Sequence, residues 1–367
     1  MSAAMSIDRL AQAPRADIPG CLWFVRFNHA GEAEPGTAED FANLGAPREG
    51  FLWLHMDLAD VRSRPLLARI PALSEDARDS LCDPIDHQHL EYSEGIVSGA
   101  LLDYERDLGG PTSRTDYVRF ASGASFFISA RRLPMDSVEA THIAINRGAR
   151  LTSPIHLFEL LTDALIDGLA RKAAELGAAF DRVEDRIIDQ RGRQARPALS
   201  AARRDAVRLA RQISGLSSTV ARLETIEEEV DEQRDNDLRD AAARLVQHAG
   251  ALTQDVTSLQ ERARLLQDEL NALLSLETND RLYVLTLTTM LLLPATFVTG
   301  YFGMNTKNLL FAEDENGTLY ATILCVLASA TALFLMRRWG LAGAPESEDH
   351  RPAGPERRDD RPADRSF

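Results

Sequence analysis

The sequence predicts an α+β membrane protein: an N-terminal cytoplasmic α/β domain, an antiparallel helical pair, a long stalk helix continuous with a first transmembrane helix, and a second transmembrane helix near the C-terminus. Three observations carry that prediction. Short β-type runs alternate with helical stretches only before Pro154, long apolar stripes at helical spacing follow, and two uncharged apolar runs stand near the C-terminus. The implied partition is 1-153 for the α/β domain, 154-234 for a cytoplasmic helical hairpin, and 235-302 for the stalk and first transmembrane helix, with its membrane part at about 282-302. A periplasmic loop at 303-318, a second transmembrane helix at 319-336, and a basic flank with a disordered cytoplasmic tail at 337-367 complete it.

The chain has 367 residues and a formal net charge of -15. Nucleic acid needs clustered Lys and Arg against its phosphates, so this balance argues against it and suits a surface that gathers cations. Cys21, Cys82 and Cys325 are odd in number and far apart, which fits neither a disulfide framework nor a Cys zinc site. Met1 to Pro19 lacks the basic start and apolar core of a signal peptide, so the bulk of the chain is expected to stay inside.

In the first domain, β-type runs stand at Leu22 to Phe27, Phe51 to Leu54, Ile96 to Tyr104, Tyr117 to Phe120 and Ser125 to Ser129. Helical stretches around Leu66 to Arg69, Glu75 to Cys82 and Met135 to Arg147 lie between and after them. No phosphate-binding glycine loop and no nucleophile motif occurs, so the chain is not read as an enzyme. The helical pair follows from the stripe Leu157, Leu161, Leu165, Leu169, Leu176, Phe180, Val183 and Ile187 within Pro154 to Gln190, and from another over Arg203 to Glu229. Gly192, Pro197 and Ser200 mark the turn between them, and a second turn is expected near Glu229 to Asp235.

The stalk shows a heptad seam: Leu238, Ala242, Leu245, Ala249, Leu252, Val256, Leu259, Ala263, Leu266, Leu270 and Leu273 alternate spacings of four and three. Such a seam joins copies of the chain or packs on the chain's own helices. Asp235 or Asn236 would cap the helix start, and no proline interrupts Asn236 to Leu293.

Leu282 to Phe302 contains no ionised side chain, over about the 20 residues a helix needs to cross a bilayer, and Leu319 to Met336 is a second such run. Arg262, Arg264 and Arg281 precede the first run, and Arg337 and Arg338 follow the second, while the loop holds only Lys307. Basic residues favour the cytoplasmic side, so both termini are expected there. One face of the first span reads Asn279, Leu282, Thr286, Thr289, Leu293, Thr296 and Gly300, amide and hydroxyl groups alternating with apolar side chains. That stripe is a candidate pore lining, although threonines also bond back to their own helix. A two-span chain cannot enclose a water-filled path alone, so a pore would require an oligomer.

The first span ends Tyr301-Phe302-Gly303-Met304-Asn305. Gly-Met-Asn at this place resembles the signature of the CorA superfamily of divalent-cation transporters. The resemblance extends back through Thr278-Asn279, Leu285-Thr286, Pro294, Thr296-Phe297 and Gly300, and covers the layout of the whole chain. It implies a multi-pass inner-membrane homopentamer that conducts divalent cations, with Gly303, Met304 and Asn305 as the selectivity motif. A ring of Asn305 carboxamide oxygens suits a hydrated Mg²⁺, which sheds water reluctantly. After the motif comes Thr306-Lys307-Asn308-Leu309-Leu310-Phe311 in place of the Met-Pro-Glu-type loop of the magnesium members. This is more similar to the ZntB-like branch, which implies zinc transport with proton coupling as an option, against a Mg²⁺/Co²⁺ channel as the alternative. A membrane-anchored coiled-coil scaffold or sensor is the reading from another class. The expected partners are further copies of the chain, the lipid bilayer and the transported Zn²⁺ or Mg²⁺, with no covalently bound cofactor.

Three further groups are candidates. Glu313, Asp314 and Glu315 would concentrate cations at the outer mouth. His87 and His89, two apart, present both imidazoles on one face of an extended segment, a geometry zinc can use. The acidic runs Asp181, Glu184, Asp185, Asp189 and Glu224 to Asp240 are either regulatory cation sites or solvated helix faces.

Overall fold

The computed structural model describes residues 18–85, 87–106, 114–189, 192–225, 232–304 and 316–338. It forms two compact units, Met1–Leu273 and Leu274–Phe367.

The first unit is built on a seven-stranded mixed sheet. In chain order its strands are β1 (Cys21–Phe27), β2 (Ala33–Pro35), β3 (Phe51–Asp57), β4 (His89–Ser93), β5 (Ile96–Tyr104), β6 (Thr115–Ser122) and β7 (Phe126–Arg131). They lie in the order β2-β1-β3-β7-β6-β5-β4, with β3 and β7 parallel and every other pair antiparallel. Every residue from Phe51 to Met56 is buried, as expected of a central strand covered on both faces. Leu52, Leu54 and Met56 face a core closed by α2 (Ser63–Leu67) and α3 (Glu75–Cys82), through Leu67, Ala77 and Leu81. On the other face Phe120 packs on Phe158 of the long helix α5 (Pro154–Ile188), ring centroids 5.2 Å apart, and α4 (Asp136–Asn146) packs beside it.

Sequence periodicity located the five β-type runs and three helical stretches named above. It missed β2, the edge strand β4, and α1 (Ala38–Ala42), which are too short to show a period. α1 is set instead by its capping box, in which Thr37 accepts from Asp40 N and the Asp40 carboxylate accepts from the Thr37 backbone.

The helical pair is α5 and α6 (Gly192–Ala221). Here the expected turn is corrected: Pro197 and Ser200 lie inside α6. The cause is packing, because Ala195 and Leu199 are fully buried and extend the apolar stripe past the proline. The expected start of the next helix is also corrected. α7 runs Glu232–Phe302, so Asp235 is not its N-cap; it is buried and accepts a hydrogen bond from Tyr92 Oη at 2.5 Å. Of the second expected turn, Glu229 to Asp235, residues 229–231 lie outside the described residues, and 232–235 belong to α7 instead of a turn.

The heptad seam has a further consequence for the expectation of an oligomer. Its members from Leu238 to Val256, and again Ala263, Leu266 and Leu270, are buried within the single chain. Arg244 pairs with Glu159, Arg262 with Asp181 and Glu184, and His248 Nδ1 lies 3.0 Å from Asp163, so this face of α7 packs on α5. The seam is an internal helix-bundle seam, and the case for association between copies cannot rest on it.

The second unit contains the end of α7 and α8 (Gly317–Arg338), and both helices are long and apolar enough to cross a membrane. Val298 and Met336 are its buried apolar side chains among the described residues, while Leu292, Leu293, Phe297, Val326 and Leu327 are more than half exposed. α8 fastens to the first span by side-chain donors: Ser329 Oγ to the Leu291 carbonyl at 3.2 Å, and the Cys325 thiol to the Ala295 carbonyl at 3.8 Å.

Candidate functional site

The polar stripe of the first span is placed on one face by helical periodicity. Asn279, Leu282, Thr286, Thr289, Leu293, Thr296 and Gly300 are all exposed in the single chain. The more covered positions, Leu287, Pro294, Ala295, Val298 and Phe302, fall on the opposite side at about 100° per residue. The stripe therefore points away from the face on which α8 packs.

Hydroxyl chemistry sharpens the picture. Thr289 donates to the Leu285 carbonyl at 2.8 Å and Thr296 to the Leu292 carbonyl at 2.9 Å. Each proton is thus taken up by the helix, and the hydroxyl oxygen keeps its lone pairs as an outward acceptor. Thr288 and Thr299, off the stripe, bond back in the same way. The two alternatives open for these threonines, pore lining and back-bonding, are therefore compatible.

At the end of α7, Gly303 N donates to the Thr299 carbonyl at 2.9 Å and Met304 N to Tyr301 at 3.4 Å. A Cβ on Gly303 would stand 3.0 Å from that Thr299 oxygen. Gly303 is not among the positive-φ glycines, so close backbone approach rather than a left-handed turn is what the glycine serves. Met304 is exposed. Asn305, Glu313, Asp314 and Glu315 lie outside the described residues.

The other candidates do not converge. The His87 and His89 rings are 5.5 Å apart by centroid, and His89 Nε2 lies 3.2 Å from Ser80 Oγ. No group of three or more His, Cys, Asp or Glu able to hold a metal exists among the described residues. Asp181 and Glu184 are both bound by Arg262, so one guanidinium offsets part of the charge of that acidic run.

The structure adds buried polar groups that the sequence did not single out. His55 is fully buried, with Nδ1 2.8 Å from Ser129 Oγ and Nε2 accepting from Arg131 Nε at 3.0 Å. Arg131's donation fixes the proton on Nδ1, and burial, followed by the charge of Arg131, holds the imidazole well below its ordinary pKa. Trp23 is stacked between His55 and His142 at 4.3 Å on either side. Asp103 accepts from Ser137 N at 2.9 Å and Ser137 Oγ at 2.6 Å, yet its burial dominates and pushes its pKa up to about 6. These are groups that hold the α/β domain together. The visible signal was a His or Asp inside an otherwise apolar strand.

A soluble α/β domain joined to two apolar helices, the first with a polar face, has the build of a membrane transport protein. The chain belongs to the CorA-like Mg²⁺ transporter protein family, whose model matches residues 48–338. It is therefore a divalent-cation transporter by family and not an enzyme. Zinc transport protein ZntB of Yersinia pseudotuberculosis serotype O:1b (strain IP 31758) is 24% identical over 291 residues, 78% of this chain and 87% of that protein. Among solved structures, full-length CmaX superposes with a TM-score of 0.71 at 20% identity, covering 89% of this chain and 99% of CmaX. The CorA magnesium transporter of Methanocaldococcus jannaschii gives 0.70 at 14% identity, with 86% and 98% covered.

Proposed function

We propose that copies of this chain, five by the family resemblance, assemble around an axis in the inner membrane and conduct divalent cations, zinc favoured, along the first transmembrane helix. The observation that carries this reading is the acceptor-rich stripe from Asn279 to Gly300, turned away from α8 and left uncovered in the single chain. Hydroxyl oxygens and the Asn279 amide contact the water shell of a hydrated cation, which needs acceptors and no fixed negative charge. Gly303, Met304 and Asn305 form the outer selectivity mouth, and Glu313, Asp314 and Glu315 raise the cation concentration above it.

In this reading 1-153 and 154-234 lie in the cytoplasm, the stalk and first span occupy 235-302, the loop 303-318 faces the periplasm, 319-336 returns, and 337-367 ends inside. A potential negative inside favours entry by about 2.3 kcal/mol per charge per 100 mV, so inward flux needs no nucleotide hydrolysis. No ionisable side chain except Tyr283, Tyr301, Cys325 and Tyr320 lies in either span, which gives a proton relay no carboxylate or imidazole to use. Zinc is supported by the ZntB relative. Magnesium is the second reading, and the family model's description and the archaeal magnesium transporter favour it.

The test is flux into liposomes loaded with zinc- or magnesium-sensitive dye, with and without a pH gradient. Zinc entry that Asn305→Ala abolishes is the expected result, and magnesium entry instead selects the second reading. Equal flux from wild type and variant overturns the role of Asn305, and no flux from folded protein points to the scaffold.

A further inference from the structure

The helices of the first unit's bundle bring unlike charges to their seams. Between α5 and α7, arginines and a histidine meet acids: Arg244 pairs with Glu159, His248 lies against Asp163, and Arg262 binds Asp181 and Glu184. α6 has a different balance. It carries six arginines and a single acid, Asp205, and all six arginines are exposed, in a chain of net charge -15.

Ser200, Arg203, Arg204 and Val207 of α6 line an open cleft of about 390 Å³ with Gln267 of α7. The lining is two guanidinium groups, a hydroxyl, an amide and one apolar side chain, with no carboxylate among the described residues. Arg203 and Arg204 form no ion pair among the described residues. Asp205 stands two residues from Val207, hence about 160° round the helix and away from the cleft. On α7, Arg264 and Asp268 flank Gln267 and offset each other. Gln267 Nε2 donates one hydrogen to Asn271 Oδ1 at 3.2 Å and keeps the second.

Guanidinium groups on successive residues repel each other, and each presents a fork of N–H donors matched to carboxylate or phosphate oxygens. In the α5–α7 seam a carboxylate of the chain meets the arginine. In the cleft of α6 an anion from outside takes that place. A carboxylate brings one charge and two oxygens, whereas a phosphate monoester brings close to two charges and three oxygens, which matches two guanidinium groups. The volume falls in the range of about 300–1,000 Å³ usual for small-molecule sites, more than a bare phosphate needs.

We propose that this cleft binds a phosphate group carried by an organic molecule, either a soluble phosphate ester or a lipid headgroup. Its oxygens accept from Arg203 and Arg204, Ser200 Oγ and Gln267 Nε2 donate to the remaining acceptors, and the carbon skeleton covers Val207, which is 45% exposed. The bound phosphate ties α6 to α7 as the ion pairs tie α5 to α7. This goes beyond the transport reading and does not depend on which cation passes.

The test uses the full chain in phosphatidylcholine nanodiscs, in buffer without divalent metal. Pyrophosphate is titrated in, and binding is read by calorimetry and by hydrogen exchange over 200–211. Saturable binding with a Kd below about 1 mM and slower exchange in that segment are expected. Arg203→Gln with Arg204→Gln should weaken binding about tenfold or more, and Arg203→Lys with Arg204→Lys, which keeps the charge and loses the fork, should weaken it as well. Arg208→Gln with Arg211→Gln, on the same helix outside the cleft, should change it less than about twofold. The same discs made with phosphatidylglycerol separate the two sources. Slowed exchange before any pyrophosphate is added, lost when Arg203 and Arg204 are replaced, supports the site with a lipid headgroup as its ligand. Slowed exchange only after pyrophosphate supports it with a soluble phosphate. No saturable binding together with no lipid-dependent slowing, or equal weakening by the two glutamine pairs, overturns the site.

Discussion

Leucine has two opposite fates in the two units. In the first, Leu52, Leu54 and Leu67 have no exposed surface; in the second, Leu285, Leu292 and Leu293 are more than half exposed in the single chain. Burial from water holds the first unit together at about 25 cal/mol per Å². The second has almost no interior of its own, so its leucines match a hydrocarbon solvent and its order comes from helix hydrogen bonds and packing on α8. A side chain's worth therefore depends on the unit that contains it.

The largest expected contrast is between two truncations. Phe127, fully buried in β7, becomes a cavity on Phe127→Ala and should cost about 3–5 kcal/mol in chemical unfolding of the first unit. Leu292→Ala on the 57% exposed span position should move that same transition by less than about 0.5 kcal/mol. Equal losses would break the comparison.

A pH titration of stability is the next largest. Asp103 ionises in the native state only near pH 6, above its unfolded value, so the fold binds a proton the unfolded chain has released. Its contribution falls by about 3 kcal/mol as pH rises from below 4 to above 6. His55 slopes the other way: it is neutral when folded, and stability is lost as pH falls below the unfolded imidazole value. Asp103→Asn should leave the His55 slope alone, seen as stability that decreases steadily on acidification below about pH 6.5. An unchanged profile would remove Asp103 from the account.

The smallest effect sharpens the contrast from the membrane side. Thr288 spends its proton on the Val284 carbonyl, so Thr288→Val should change the stability of the detergent-solubilised protein by no more than about 0.5 kcal/mol. A larger loss would show that the hydroxyl holds something besides its own helix.

Long, strongly patterned elements were legible in the sequence. The alternating strands, α5, both apolar spans and the polar face of the first span each show a period over many residues. What periodicity cannot tell is which partner covers an apolar stripe: the Leu238 to Leu270 seam reads the same whether it meets another chain or its own α5. Capping residues misled for a related reason, since Asp235 has a capping side chain but spends it on Tyr92. Pro197 suggested a turn because local propensity was set against a buried stripe that outweighs it.

Pro294 has no N–H to give, so the Met290 carbonyl loses its helical donor and the turn around it is weakened. Ser329 and Cys325 of α8 reach the carbonyls at Leu291 and Ala295, on either side of that break. α8 thus acts as a splint on the first span, set where the rod would otherwise bend. The stiffness of the polar face is governed from the helix behind it, so Ser329, which touches no part of that face, is a residue through which its shape can be tuned.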